Sequence, residues 1–223
     1  IFRTNVEGTV NLLNAVKEES VFIFASTREV YGRFADKYEL VPETCPTTFA
    51  GQSSYEWSKL VAERYVEYFA AKRRLRSCIF RLSTIYSPRG GDAIPNFVGH
   101  YADMINLGER FALPGDGAAI RDLLFVDDLA DACTAFADSV IRNGLYNLGG
   151  GPANAVSLTE LIAKMEEAAG LQAVIDRDAS IPMPVPKRYV SDLSLVTQEL
   201  DWQPKTKLAD GLAALFGGTT TNQ

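Results

Sequence analysis

The sequence predicts an α/β protein, in which the later half of a doubly wound parallel sheet is followed by a smaller mixed lobe. Three observations predict it. Phe22–Thr27 is an apolar, β-rich run that ends in hydroxyl side chains. Ser54–Lys59 opens a long helical pattern, and Cys78–Leu82 is a second apolar run. Strand, loop, helix and strand in that order make a βαβ unit. Residues 1–88 read as the sheet domain, and from residue 89 to 223 the pattern is mixed.

The elements follow in order. Asn5–Leu13 reads as a helix, joined tightly through Glu18-Glu19-Ser20 to the first strand. Pro42–Thr48 is a loop, and the helix that starts near Tyr55 runs to about Ala71. Leu60, Val61, Tyr65, Tyr68 and Phe69 cover more of that helix than the single stripe needed to pack on its own sheet. Pro95–Leu107 is a helix with its proline in the first turn. Phe111–Phe125 holds a Gly-rich turn between short strands, and Asp127–Ala137 is a helix with acids at its N-terminus. Ser157-Leu158-Thr159-Glu160 is a capping box ahead of a Leu158, Leu161, Ile162, Met165 core stripe that stops at Gly170. Asp201–Pro204 is a structural turn, and the Gly217–Gln223 tail frays.

Composition narrows the function classes. The 223 residues are 47% hydrophobic, enough for a sizeable core. A net charge of −6 argues against a nucleic-acid partner. No run approaches the ~18 apolar residues of a membrane span, and no secretory signal is visible, so a cytoplasmic location is expected. Cys45, Cys78 and Cys133 are scattered without metal spacing, and His100 is the only histidine, so no metal site or histidine-based triad is expected.

Tyr55 and Lys59 stand at i and i+4 in the first turns of the long helix, which puts a phenol beside an ammonium on one face. A nearby cation favours the phenolate, which makes the pair a general acid/base candidate. The spacing alone is equally that of an ordinary surface helix pair. Upstream, Thr27 ends a strand at the edge where open α/β sheets bind ligands.

At this point the chain resembles the extended short-chain dehydrogenase/reductase superfamily and, more narrowly, its NAD-dependent epimerase/dehydratase family. The resemblance rests on Asn5–Leu13, Ala25–Gly32, Ser54–Lys59 and Arg81–Arg89. It continues through Gly115-Asp116-Gly117, Arg121-Asp122, Val126-Asp127-Asp128 and Tyr146–Gly150. It implies a Rossmann-type sheet over residues 1–88 and, over residues 89–223, mainly a substrate-binding lobe with some segments returning to the sheet. It also implies a Gly-rich dinucleotide turn, which this sequence does not show; Gly149-Gly150-Gly151 lies late and precedes Pro152. At roughly 30 residues per βαβ unit, about 60–90 residues would precede Ile1. The gene product is then truncated, or its N-terminal part lies outside this sequence, or a gap falls near Glu18–Val21.

The resemblance also implies roles. Thr27 matches the catalytic hydroxyl, Tyr55 the acid/base, and Lys59 the residue that holds the nicotinamide ribose and lowers the tyrosine pKa. Asn5, Ser26 and Ser83 match positions at the cofactor. Thr84 stands where a sugar-contacting asparagine is usual, and Arg121 and Arg188 match arginines on the substrate diphosphate. Read from the residues alone, Asn5 is equally a helix cap, Thr27 a strand-end hydroxyl, and each arginine an exposed salt-bridge partner. Glu29 follows Thr27 as in nucleotide-sugar decarboxylases, while Arg28 replaces the Asp of the dehydratases' Asp-Glu pair.

The implied reaction is NAD-dependent modification of a nucleotide-diphosphate sugar, foremost 4-epimerisation through a transient keto sugar. A decarboxylase of the UDP-glucuronate type, or a dehydratase, is the enzymatic alternative. A catalytically inactive binding or assembly module is the alternative of another class. The family's usual homodimer, built from the Asn5 and Tyr55 helices, is expected, with Phe69 in the interface.

Overall fold

The structure, a computed structural model, describes residues 1–88, 96–177 and 179–217. A π-helical turn, Arg3–Glu7, runs into α1 (Gly8–Ala15). Then come β1 (Val21–Thr27), a 3₁₀ segment Arg28–Lys37, α2 (Ser54–Lys72) and β2 (Arg76–Leu82). The chain continues through β3 (Thr84–Tyr86), α3 (Phe97–Leu107), β4 (Arg110–Phe111), β5 (Ile120–Phe125) and α4 (Val126–Asp138). After these lie β6 (Asn143–Leu148), β7 (Ala155–Ser157), α5 (Leu158–Ala169) and β8 (Val174–Ile175). The chain closes with β9 (Arg188–Tyr189), α6 (Ser194–Leu200) and α7 (Leu208–Gly217).

Two sheets organise the molecule. β1, β2 and β6 are parallel in the order β1-β2-β6, so β6 returns to the first sheet. β5 is the hub of the second sheet, pairing with β3, β7 and β9. Both flanks of the first sheet are covered, which its near-continuous apolar strands require. Leu13, Phe24, Val66, Leu75 and Ile79 fill one flank, and Phe80, Phe136, Tyr146, Leu148 and Trp202 fill the other. A third core joins Tyr101, Phe111, Leu123, Leu161, Met165 and Leu212 in the smaller lobe.

The Gly115–Gly117 turn lies between short strands as expected; these strands, β4 and β5, do not pair with each other, and β4 pairs with β8. Two expectations change. The helix expected from Pro95 begins at Phe97 because the Asn96 side chain caps it, its Oδ1 accepting from the amides of Val98 and Gly99 at 3.0 and 3.2 Å. Pro95 and residues 218–223 lie outside the described residues. On α2, Leu60 is buried against Val30, Tyr31 and Val41, and Phe69 packs inward beside Val66. Of the apolar α2 residues named above, Tyr65 and Tyr68 are exposed, and so is Leu12 of α1. Among the described residues no helix is long and apolar enough to cross a membrane.

Candidate active site

Parallel strands finish level with one another. Thr27 pairs with Leu82 and Leu82 with Leu148, so the carboxyl ends of β1, β2 and β6 form one rim. Thr27 is buried there, and its Oγ1 accepts from the Glu29 amide at 3.2 Å. The loop that follows must come back to this rim, and Gly32 permits it. Gly32 has φ 52°, and a Cβ there would sit 2.7 Å from the Ala50 carbonyl oxygen. Gln52 completes the latch by donating to the Val30 and Thr48 carbonyl oxygens at 2.8 and 3.0 Å.

The latch delivers Ser53 as the cap of α2. Its Oγ accepts from the Tyr55 amide at 3.2 Å, while the Glu56 carboxylate takes the Ser53 amide at 2.7 Å. Asn5 braces the same turn from below. Its Nδ2 donates to Ser58 Oγ at 2.9 Å, and Ser58 Oγ donates to the Tyr55 carbonyl oxygen at 2.7 Å. Tyr55 is thereby fixed in the first turn, 37% exposed.

The electrostatics differ from expectation. The Tyr55 phenol is pushed above its ordinary range, first by burial and then by the carboxylates of Glu29 and Glu56. Lys59 does not lower it. Its Nζ donates to the Ala25 carbonyl oxygen at 2.9 Å and lies 5.1 Å over the Phe24 ring, and burial lowers its own pKa. The i, i+4 spacing aligns the two residues, but the ammonium turns to the strand end, and the charges felt by the phenol are negative.

The Ser26 side chain is turned into the protein. Its hydroxyl is committed to the carboxylate of Glu63, which is fully buried. Glu63 pairs with Arg81 at 2.7 Å, Arg81 donates to Tyr31 Oη at 3.1 Å, and Tyr31 donates to Asn147 Oδ1 at 2.6 Å. This network underlies the rim, and motif reading missed its acid. The signal was present: Glu63 continues the Tyr55, Lys59 face of α2, and Arg81 is a charge inside an apolar strand.

On the other side of the rim, the Ser83 hydroxyl donates to the fully buried Asp122, to the backbone carbonyl oxygen at 2.9 Å and to Oδ1 at 2.5 Å. The amides of Gly151 and Ser191 donate to Oδ2 of the same carboxylate at 3.2 and 3.0 Å, and burial pushes its pKa up. Thr84 is buried at the start of β3. Arg121 is buried, and its guanidinium is held by the carbonyl oxygens of Ile120, Pro186 and Lys187 at 2.6, 2.8 and 3.3 Å. Burial first, and then Arg28, bring its pKa down to about 10.

Arg121 and Arg188 are not brought together. Arg121 pairs with Tyr189 in the β5–β9 register and Arg188 pairs with Ile120, so the two arginines fall on opposite faces of the pleat. Arg121 instead lines a cleft of about 200 Å³ with Arg28, Glu29, Phe97, Tyr101 and Leu158. The Arg188 amide is anchored on Asp36 Oδ1 at 3.3 Å.

A dinucleotide would find only part of a site among these residues. Tyr55, Lys59 and Thr27, gathered at one rim, suit a nicotinamide riboside. Gly149–Gly151 does not suit its pyrophosphate, because a Cβ at Gly149 would already sit 2.0 Å from the Asp122 carboxylate. Among the described residues no group of His, Cys, Asp and Glu could hold a metal ion.

Comparison with known proteins agrees with this geometry. The chain is 29% identical over 99% of its length to CDP-paratose 2-epimerase of Salmonella typhi, spanning 72% of that protein. It is 33% identical over 95% of its length to dTDP-glucose 4,6-dehydratase of Streptomyces griseus, spanning 63% of it. The crystal structure of UDP-glucuronic acid 4-epimerase from Bacillus cereus, in complex with UDP-glucuronic acid and NAD, superposes with a TM-score of 0.82 at 26% identity, covering 96% of this chain and 67% of that one. The model of the NAD dependent epimerase/dehydratase family matches residues 1–149, and the chain belongs to that family.

Proposed function

We propose that this chain epimerises a nucleotide-diphosphate sugar at C4 with NAD as its cofactor. The observation that carries the reading is the placement of Tyr55 and Lys59 beside Thr27 at the carboxyl rim of a parallel sheet, next to an arginine-lined cleft. NAD, when bound, supplies hydride acceptance and return. Tyr55 Oη takes the proton of the sugar hydroxyl and gives it back. Thr27 orients that oxygen: its Oγ1 lone pair serves the Glu29 amide, which leaves its own O–H for the substrate. Lys59 holds the nicotinamide ribose, with Asn5 bracing the turn beneath it, and Ser26 and Ser83 border the ring through their backbones because both hydroxyls are engaged within the protein. Thr84 contacts the sugar, and Arg121, which lines the cleft, grips the diphosphate; Arg188, on the other face of β5–β9 and outside the cleft lining, is left without that role.

Two observations bear on the reaction branch. Arg28 removes the acid that a dehydratase would place after Thr27, which leaves elimination without its proton donor. Glu29 reaches the cleft, which favours decarboxylation of a uronic acid as the second reading. We place the enzyme in the cytoplasm as a homodimer that meets through α1 and α2. The test is Tyr55→Phe, measured for turnover and for NAD affinity. Turnover should fall by about 100- to 10,000-fold, the usual share of a general acid/base, with NAD affinity unchanged. Full turnover in that variant would remove Tyr55 from the chemistry.

A further inference from the structure

Arg28 is the one strongly charged group at the rim that the proposed mechanism leaves without a task. Its side chain is buried, 8% exposed, in a 3₁₀ segment that begins one residue past Thr27. The guanidinium lies 5.1 Å over the Tyr189 ring. Tyr189 is the register partner of Arg121, so the β5–β9 pairing puts both cations on one face. Arg28 Nη1 is buried with no hydrogen-bond partner, and Nη2 reaches Glu29 Oε1 only at 3.4 Å. The Tyr189 ring and a 3.4 Å ion pair to Glu29 hold this fork, and Nη1 takes part in neither hydrogen bond nor ion pair.

The surroundings are selective. Arg28 and Arg121 both line the cleft of about 200 Å³, and among the described residues that line it Glu29 is the one carboxylate. Phe97, Tyr101, Pro114, Leu158 and Val185 make its walls, so the charges act across an apolar enclosure. Arg121 donates to three neutral backbone carbonyls, and the carboxylates of Glu29, Asp122 and Asp36 act on it without a hydrogen-bonded pairing. Both guanidiniums face the cleft, and the buried Arg28 Nη1 carries N–H groups that call for an acceptor. A buried group of this kind left unpaired is costly, and an oxyanion satisfies both the donors and the charge.

We propose that Arg28 is a substrate-recognition residue that, together with Arg121, binds an oxyanion of the nucleotide sugar in this cleft. The inference rests on the nucleotide-sugar reading and narrows it. The oxyanion has two possible sources, the diphosphate and a carboxylate on the sugar, and one experiment separates them. Titration calorimetry at low ionic strength compares inorganic pyrophosphate, UDP-glucose and UDP-glucuronate against the wild-type chain, Arg28→Met and Arg28→Lys. Thermal unfolding of each variant monitors the fold. Met keeps the apolar stem against Tyr189, and Lys keeps the charge but not the fork.

Arg28→Met should weaken binding by 10- to 100-fold, and Arg28→Lys by less. A loss for all three ligands identifies the diphosphate, and a loss confined to UDP-glucuronate identifies the carboxylate. If Arg28→Met does not fold, weaker binding by a folded Arg28→Lys carries the same conclusion. Equal affinities in the wild type and the folded variants for every ligand overturn the proposal. Arg28-dependent binding of pyrophosphate, with neither sugar nucleotide bound, keeps the anion site and overturns the nucleotide-sugar reading. A wild-type chain that binds none of the three overturns both.

Discussion

At Tyr55 the sequence places the phenol in the first turn of α2, where the structure has it, and misjudges its environment. The Tyr55–Lys59 spacing is legible because helix geometry alone sets it. Which charge the phenol feels is not, because Glu29 arrives from a different segment and Lys59 is drawn to the Ala25 carbonyl oxygen. A pH prediction follows. The carboxylate of Glu29 raises the Tyr55 pKa, so the base form, and the rate that depends on it, should gain as pH rises. Glu29→Gln removes one raising charge and should move the rising limb of kcat/KM to lower pH. An unmoved limb, or one displaced upward, would contradict the assignment. Glu63 and Arg81 carry a second prediction at this scale. They form a buried pair at 2.7 Å, and Glu63→Ala would leave Arg81 uncompensated. Urea unfolding should show a loss on the order of 3–5 kcal/mol, and a loss below ~1 kcal/mol would mean that Arg81 finds another partner.

Elements whose signals are local are read well. Ser157 and Glu160 form the predicted capping box, with Glu160 Oε2 taking the Ser157 amide at 2.8 Å and Ser157 Oγ taking the Glu160 amide at 3.1 Å. α5 ends where Gly170 takes φ 65°. Ser157→Ala should cost about 1 kcal/mol, seen as a lower unfolding midpoint. The cap also lowers the Glu160 pKa below its reference of 4.5. Its stabilising share is therefore full above that value and disappears as pH falls through the lowered pKa. The gap in melting temperature between wild type and Glu160→Gln should close in acid, and a constant gap would show that the carboxylate's charge is not involved. Pairings were not legible. β4 and β5 are neighbours in sequence, yet each finds a distant partner, because side-chain packing decides pairing in strands as short as Arg110–Phe111. The short β9 strand, which separates Arg121 from Arg188, carried no sequence signal of its own.

At the scale of the whole molecule, the helical pattern on α2 was read as one broad apolar surface, and the fold divides it. Leu60, Val66 and Phe69 serve the protein's own cores, whereas Tyr65 and Tyr68 stand exposed beside Leu12 of α1. The faces could not be assigned before the position of α1 was known. If the chain forms the proposed homodimer, Tyr68→Glu should convert it to a monomer in light scattering at micromolar concentration without lowering the melting temperature of the protomer. A wild-type monomer would count against association through this face. Phe69→Glu, in contrast, should unfold the chain, since that ring packs inward.

The central claim is that this rim carries out C4 epimerisation with Tyr55 as the proton-transfer group. A proton NMR time course of the chain with NAD and a nucleotide sugar, either UDP-glucose or UDP-glucuronate, tests it most directly. The account predicts that the substrate's H4 signal gives way to that of its C4 epimer, that the anomeric linkage to the diphosphate persists, and that Tyr55→Phe stops the conversion. Loss of carbon dioxide or water from the sugar in place of epimer formation, or equal conversion by Tyr55→Phe, would contradict it.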